Sequence, residues 1–108
     1  MRDSLNVEER NPKLRLIEHL PRGRAYLSDQ LQRAALSIPL NIAEGAGEYA
    51  VDEKARFYRM AKRSATECAG VLDVCQRLGL VEERRYLRGR ELLIGIVSML
   101  IKMAQKQR

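Results

Sequence analysis

Two sets of side chains have the types and spacing to do chemistry together. Arg33, Ser37, Asn41 and Glu44 follow one another at intervals of 4, 4 and 3 residues, which on an α-helix aligns them in one polar stripe. Ser64 and Glu67 form a similar pair farther along the chain. One reading is a binding or catalytic constellation. General acid–base work, resting here on Asn41, Glu44 and Glu67, needs a tuned acid or base held by an orienting partner. No such partner accompanies these residues, so no reaction is specified and the chain is expected not to be an enzyme. The expectation is a structural polar network of Arg33, Ser37, Asn41, Glu44, Ser64 and Glu67 that fixes how two helices register.

The second set is cationic. Twenty Lys and Arg against fourteen acids give a net charge of +6, and the excess is uneven. Arg56, Arg59, Lys62 and Arg63 cluster in one segment, Arg84, Arg85 and Arg88 in another, and Lys102, Lys106 and Arg108 close the chain. Residues 25–50 carry one Arg against three acids, a local charge of −2. Clustered Arg and Lys displace condensed counterions from phosphates, and Arg adds bidentate contacts. Nucleic acid, RNA above all, is the polyanion this pattern fits, with phosphate contacts expected from Arg56, Arg59, Lys62, Arg63, Arg84, Arg85, Arg88, Lys102 and Lys106. The competing reading is a solvated helical face neutralised by Asp52, Glu53, Glu82, Glu83 and Glu91. No RNA-recognition signature, zinc finger or exposed stacking pair is present, so binding is expected to be backbone-driven and weakly sequence-specific. Tyr49 is placed either on a base or, more simply, packed on its own helix.

Metal and disulfide chemistry find little to work with. Cys68 and Cys75 stand seven residues apart on one predicted helix, about 10.5 Å along its axis, and a disulfide needs less than about 7 Å. A lone His19 completes no ligand set. No cofactor is expected.

The elements that must position these groups follow from composition and periodicity. The 108 residues suit one domain spanning 1–108. One Phe, four Tyr and no Trp, among abundant Leu, Ala and Arg, favour an all-α fold. The clearest helix opens near Asp52, a candidate N-cap. Phe57, Ala61, Ser64, Cys68, Val71, Cys75 and Leu78 recur at alternating intervals of 4 and 3, widened into a core face by Tyr58, Ala65 and Leu72. Gly79 supplies its stop. A following helix over residues 82–105 is apolar on more than one side, and its outer residues Leu92, Ile96, Met99 and Met103 are expected to meet another subunit. Ahead lies a helix over residues 28–44, with Ser28 as its cap and a kink at Pro39. The first helix, over residues 12–20, is short; residues 1–10 add a turn or stay loose, and residues 21–23 break the chain. Short loops make neighbours antiparallel, giving an up-down-up-down four-helix bundle. The apolar stretch over residues 92–101 is too short for a bilayer, and the charged N-terminal segment lacks the apolar core of a signal peptide. A cytoplasmic location and no membrane contact are expected.

The run SIPLNIAEGAGEYAVDEKARFYRMAKRSATECAGVLDVCQRLGLV resembles the four-helix-bundle family of 23S rRNA-intervening-sequence proteins. Its block from Ser37 to Gly45, followed by an aromatic- and Arg-bearing helix, carries the likeness. The resemblance implies a left-handed four-helix bundle, assembled as a homopentamer, without known catalytic activity. The same broad fold is similar to the accessory variability protein of diversity-generating retroelements, a basic pentameric barrel that binds nucleic acid and a reverse transcriptase. Family members carry a longer first helix; here Pro12 interrupts it, so that helix is expected to be short or kinked. The function expected is a non-catalytic homo-oligomeric scaffold binding RNA. The alternative is a protein-interaction module that docks a partner such as a reverse transcriptase on its apolar surface or its acidic Glu44–Glu48 rim.

Overall fold

The computed structural model describes residues 23–106. Every regular element among them is helical: α1 (Gly23–Ala46), α2 (Val51–Arg77) and α3 (Glu83–Lys106). The expected helix over residues 12–20, residues 21–22 of the expected break, the loose residues 1–10 and His19 lie outside the described residues, while Gly23, also expected in the break, is the first residue of α1. Three helices are therefore seen where the sequence reading places four.

α2 is the central rod, about 40 Å long at 1.5 Å per residue, and both other helices pack on it. Leu27 near the start of α1 meets Leu78 just past the end of α2. Ala34 and Ile38 pack on Ala65 and Cys68, and Gly45 lies against Tyr58. Such pairs, one index rising as the other falls, make α1 and α2 antiparallel. Tyr86 with Asp73 and Leu100 with Tyr58 and Ala61 do the same for α2 and α3. The helix period explains α2's role. Its buried residues Ala55, Tyr58, Ala61, Ser64 and Cys68 recur at intervals of three or four, and Ala65 beside Ser64 widens them into a seam that serves two neighbours.

Close approach at this seam depends on small residues. A Cβ on Gly45 would lie 2.6 Å from Cε1 of Tyr58 and 3.2 Å from Cβ of Phe57, so glycine alone lets the end of α1 reach the buried Tyr58 ring. The end of α2 is closed by Gly79 at φ 72°, a left-handed conformation that costs glycine little. The N–H of Leu80 donates to the Cys75 carbonyl at 2.9 Å and that of Gly79 to Gln76 at 3.1 Å, the two bonds of a Schellman cap. Leu80 then packs beside Cys75 on the Leu27–Leu78 cluster, supplying the apolar contact that accompanies such caps.

Two helix starts differ from expectation. α1 begins at Gly23, five residues ahead of Ser28. Ser28 is therefore no cap, and its Oγ accepts instead from Nε2 of Gln32 at 3.2 Å. A helix that packs from Leu27 onward gains more from burying another turn than from stopping at a good capping residue. Asp52 likewise falls inside α2, whose N-cap is Ala50 without a side-chain bond; Asp52 and Glu53 act on the helix dipole from the first turn. Pro39, where a kink is expected, lies inside α1 at an exposed position, and the helix continues past it.

Candidate nucleic-acid interface

The polar stripe resolves into a chain of three residues. Nδ2 of Asn41 donates to the Ser37 carbonyl at 2.8 Å and to Ser37 Oγ at 2.9 Å. The Ser37 and Ser64 hydroxyl oxygens are 2.8 Å apart, and Ser64 Oγ donates to the Met60 carbonyl at 3.1 Å. Because Ser64's one proton is committed to Met60, Ser37 is the donor between them. Each hydroxyl thus donates once and accepts once, across the α1–α2 seam and one helical turn from Pro39. The arrangement pins register and leaves no hydroxyl proton for chemistry. Arg33, Glu44 and Glu67 are exposed and do not join it.

The basic residues divide by partner. Arg56 is held by Glu53, with Nε and Nη2 donating at 3.1 and 3.0 Å to its two carboxylate oxygens. Its guanidinium also lies 4.7 Å over the Phe57 ring. That hydrogen-bonded pair holds the Glu53 carboxyl below its usual range and the Arg56 guanidinium above its own. Arg88 sits 3.6 Å from Glu91, both well exposed. By contrast Arg59, Lys62, Arg63, Lys102 and Lys106 have no carboxylate partner among the described residues. With Arg63 at the middle of α2, antiparallel packing brings Arg59 and Lys62, in its first half, to the end of α3 that carries Lys102 and Lys106. There Arg59 and Lys62 line a cleft of about 220 Å³ with Tyr58, Leu100, Ile101, Ala104 and Gln105.

The other end is more mixed. Arg84, Arg85 and Arg88 border a groove of about 660 Å³ together with Glu91. Next to it lies a clamp that spacing in the sequence does not reveal, since its members sit on different helices. The Tyr86 hydroxyl donates to Asp73 Oδ1 at 2.6 Å, and Arg90 lies 3.6 Å from Asp73 Oδ2. The hydrogen bond to Asp73 raises the Tyr86 phenol above its ordinary value of 10.0, while Arg90 and Arg77 pull it down. Arg77 is thus near the start of α3, as the antiparallel reading requires.

A raised folded-state pKa means the clamp contributes fully below the unfolded value near 10 and is lost as pH rises through the folded value. Tyr86→Phe is therefore expected to destabilise the protein at pH 9, with the gap to the parent narrowing by pH 11. Urea midpoints at the two pH values read this, and an unchanged gap would remove the clamp's role.

Tyr49 is 100% exposed and does not pack on its own helix. The thiols of Cys68 and Cys75 are free, and burial pushes both pKa values up. Among the described residues no helix is long and apolar enough to cross a membrane, and no group of three or more His, Cys, Asp or Glu side chains is placed to hold a metal.

A family model described as 23S rRNA-intervening sequence protein matches residues 12–102. No curated protein matches the chain.

Proposed function

The chain belongs to the 23S rRNA-intervening sequence protein family, and on that premise we propose that it is a non-catalytic, cytoplasmic nucleic-acid-binding scaffold that holds RNA by its phosphates. The observation that carries this reading is the cluster of Arg59, Lys62, Arg63, Lys102 and Lys106. Arg59 and Lys62 line one cleft, Lys102 and Lys106 lie in the last turns of the facing α3, Arg63 lies one turn further along α2, and none has a carboxylate partner among the described residues. A solvated surface would be expected to interleave acids among such cations, as Glu53 does for Arg56 and Glu91 for Arg88. Arg84 and Arg85 add a second zone about 25–33 Å from Lys102 and Lys106 along α3, at 1.5 Å per residue, and a bound strand would touch both. Nothing at either zone is arranged to read base edges, and binding is backbone-driven.

The fuller architecture belongs to the same proposal. A left-handed, up-down-up-down bundle needs a fourth helix beside α1 and α3. On α3, Ile96 and Met103 pack against the Tyr58, Ala61 and Leu100 cluster that Ile42 of α1 also meets, while Leu92 and Met99 stay exposed, an apolar surface of the kind such a helix covers. The scaffold is a homo-oligomer, a pentamer by its resemblance to the family, which repeats the basic zones around one body.

The test is a salt titration of binding to a structured RNA. Five to seven phosphate contacts predict that log K falls with log salt at a slope of about −4 to −6. Retention that ignores salt would sink the reading and favour a protein partner docked on the apolar faces of α3 instead.

A further inference from the structure

The cleft that Arg59 and Lys62 line also holds a buried phenol. Tyr58 is 5% exposed and forms part of the wall of this cleft of about 220 Å³. Its ring is fixed from two sides: Gly45 of α1 stands against the Cδ1–Cε1 edge, and Leu100 of α3 packs with it in one buried cluster. Among the described residues its hydroxyl has no hydrogen-bond partner, although a phenol buried this deeply ordinarily finds one. Tyr86, by contrast, gives its proton to Asp73 at 2.6 Å. Lys62 follows Tyr58 by one helical turn, and the facing helix supplies an apolar wall from Leu100 and Ala104 and an amide from Gln105. No residue of the lining is acidic. Along α2 the flanking acids are Glu53, held by Arg56, and Glu67, five residues beyond Lys62. Glu44 and Glu48, near the end of α1, are not part of the wall.

We propose that this cleft seats a phosphate monoester, the terminal phosphate of a bound RNA strand, with the Tyr58 hydroxyl donating to it and Arg59 and Lys62 balancing its charge. The inference rests on the RNA reading above and adds to it which part of the strand is gripped. Near neutral pH a phosphate monoester carries about two negative charges, which two cations match, whereas each diester inside a strand carries one. Size points the same way. The cleft is smaller than the roughly 300 Å³ at which pockets for drug-sized ligands begin, so it takes a phosphate and part of its sugar but no length of strand. Its apolar wall lowers the local dielectric, which strengthens the charge contacts and the phenol's hydrogen bond alike. Arg63, Lys102 and Lys106, outside the lining, are left for the diesters that follow.

Calorimetric titration of the full chain with four probes tests this. Three are strands of one short RNA sequence, ending in a 5′-phosphate, in a 3′-phosphate or in hydroxyls at both ends; the fourth is 5′-AMP. At about 0.1 M salt one of the phosphorylated strands is expected to bind at least about 30-fold more tightly than the hydroxyl-ended strand, from one added charge contact and one hydrogen bond to a charged group. Tyr58→Phe keeps the ring and its packing, with helical circular dichroism retained, and is expected to cut that preference by about 10-fold. A merely structural phenol would move all the strands together and leave the ratio alone. Equal affinities for the three strands would overturn the proposal and leave the RNA reading standing, and a preference that survives Tyr58→Phe would do the same. 5′-AMP binding as tightly as the better phosphorylated strand would assign the site to a free mononucleotide and overturn the strand end. Failure of every strand to bind would remove the RNA reading and this inference with it.

Discussion

Replacing Arg59, Lys62 and Arg63 together by Glu is expected to weaken binding to a structured RNA by at least about 10²-fold at 0.1 M salt and to flatten the salt slope by about 2–3. Each phosphate contact contributes about 0.9 to that slope on a duplex and about 0.7 on a single strand. At 0.1 M salt, one lost contact therefore corresponds to roughly 5- to 8-fold in affinity, and the three introduced carboxylates add repulsion. The fold should tolerate the change, because Arg59 and Arg63 are exposed, Lys62 is half-buried, and none has an ion-pair partner among the described residues. Arg56→Glu is the informative control. Arg56 already has Glu53 at 3.0 Å and stacks on Phe57, so its reversal should cost less affinity per charge while setting two carboxylates one turn apart. A triple variant that binds RNA as the parent does, with the same slope, would place the interface elsewhere.

The largest effect on stability is expected from Leu100→Ala. Leu100 is 1% exposed and packs against Tyr58 and Ala61, with Ile42, Ile96, Met103 and Ala104 around it. It is the contact through which α3 reaches the center of the seam. Truncating a buried Leu costs about 2–5 kcal/mol, the upper part of that range where neighbours cannot collapse into the space. Tyr58 is poorly placed to do so, because its ring is wedged against Gly45. A loss of about 3 kcal/mol corresponds to a fall in Tm of roughly 12–20 °C in a domain of this size. Thermal unfolding followed by circular dichroism measures it, and a fall of only a few degrees would show that α3 is held mainly by its flanks rather than by this residue. Leu87→Ala, at an exposed position of the same helix, should shift Tm little in a single chain.

How much of this was legible before any coordinates follows from which interactions are local. Much of the core face of α2 could be read from the sequence, Tyr58, Ala61, Ser64, Ala65 and Cys68 among it, because a 3.6-residue period is imposed by the backbone itself; Phe57 and Leu72 are only half-buried, and the buried Ala55 was missed. The Gly79 stop was legible for the same reason, since a left-handed residue closing a helix favours glycine. The start of α1 was not. Ser28 is a good cap by type, yet Leu27 has Leu78 to bury against, and that partner is fifty-one residues away. The polar network was half legible. Intervals of four found Ser37 and Asn41, but the stripe was extended to Glu44 and Arg33 and joined to Glu67, because sequence spacing does not say where the neighbouring helix touches.

The same division runs through the charges. Sequence alone determined that the chain is helical, basic and uneven in charge, with the excess of cations in the segments of α2 and α3 and a local charge of −2 over residues 25–50, because composition and periodicity are properties of each segment taken singly. Only the packed structure decided which cations are already occupied. Glu53 holds Arg56 and Asp73 meets Arg90, while Arg59 and Lys62 are left to line a cleft. It also decided which apolar residues of α3 pack inward, as Leu100 does, and which stay exposed, as Leu92 and Met99 do. Both outcomes depend on which helix lies against which, and that is settled by contacts between residues far apart in the chain, whose free energy no local pattern records.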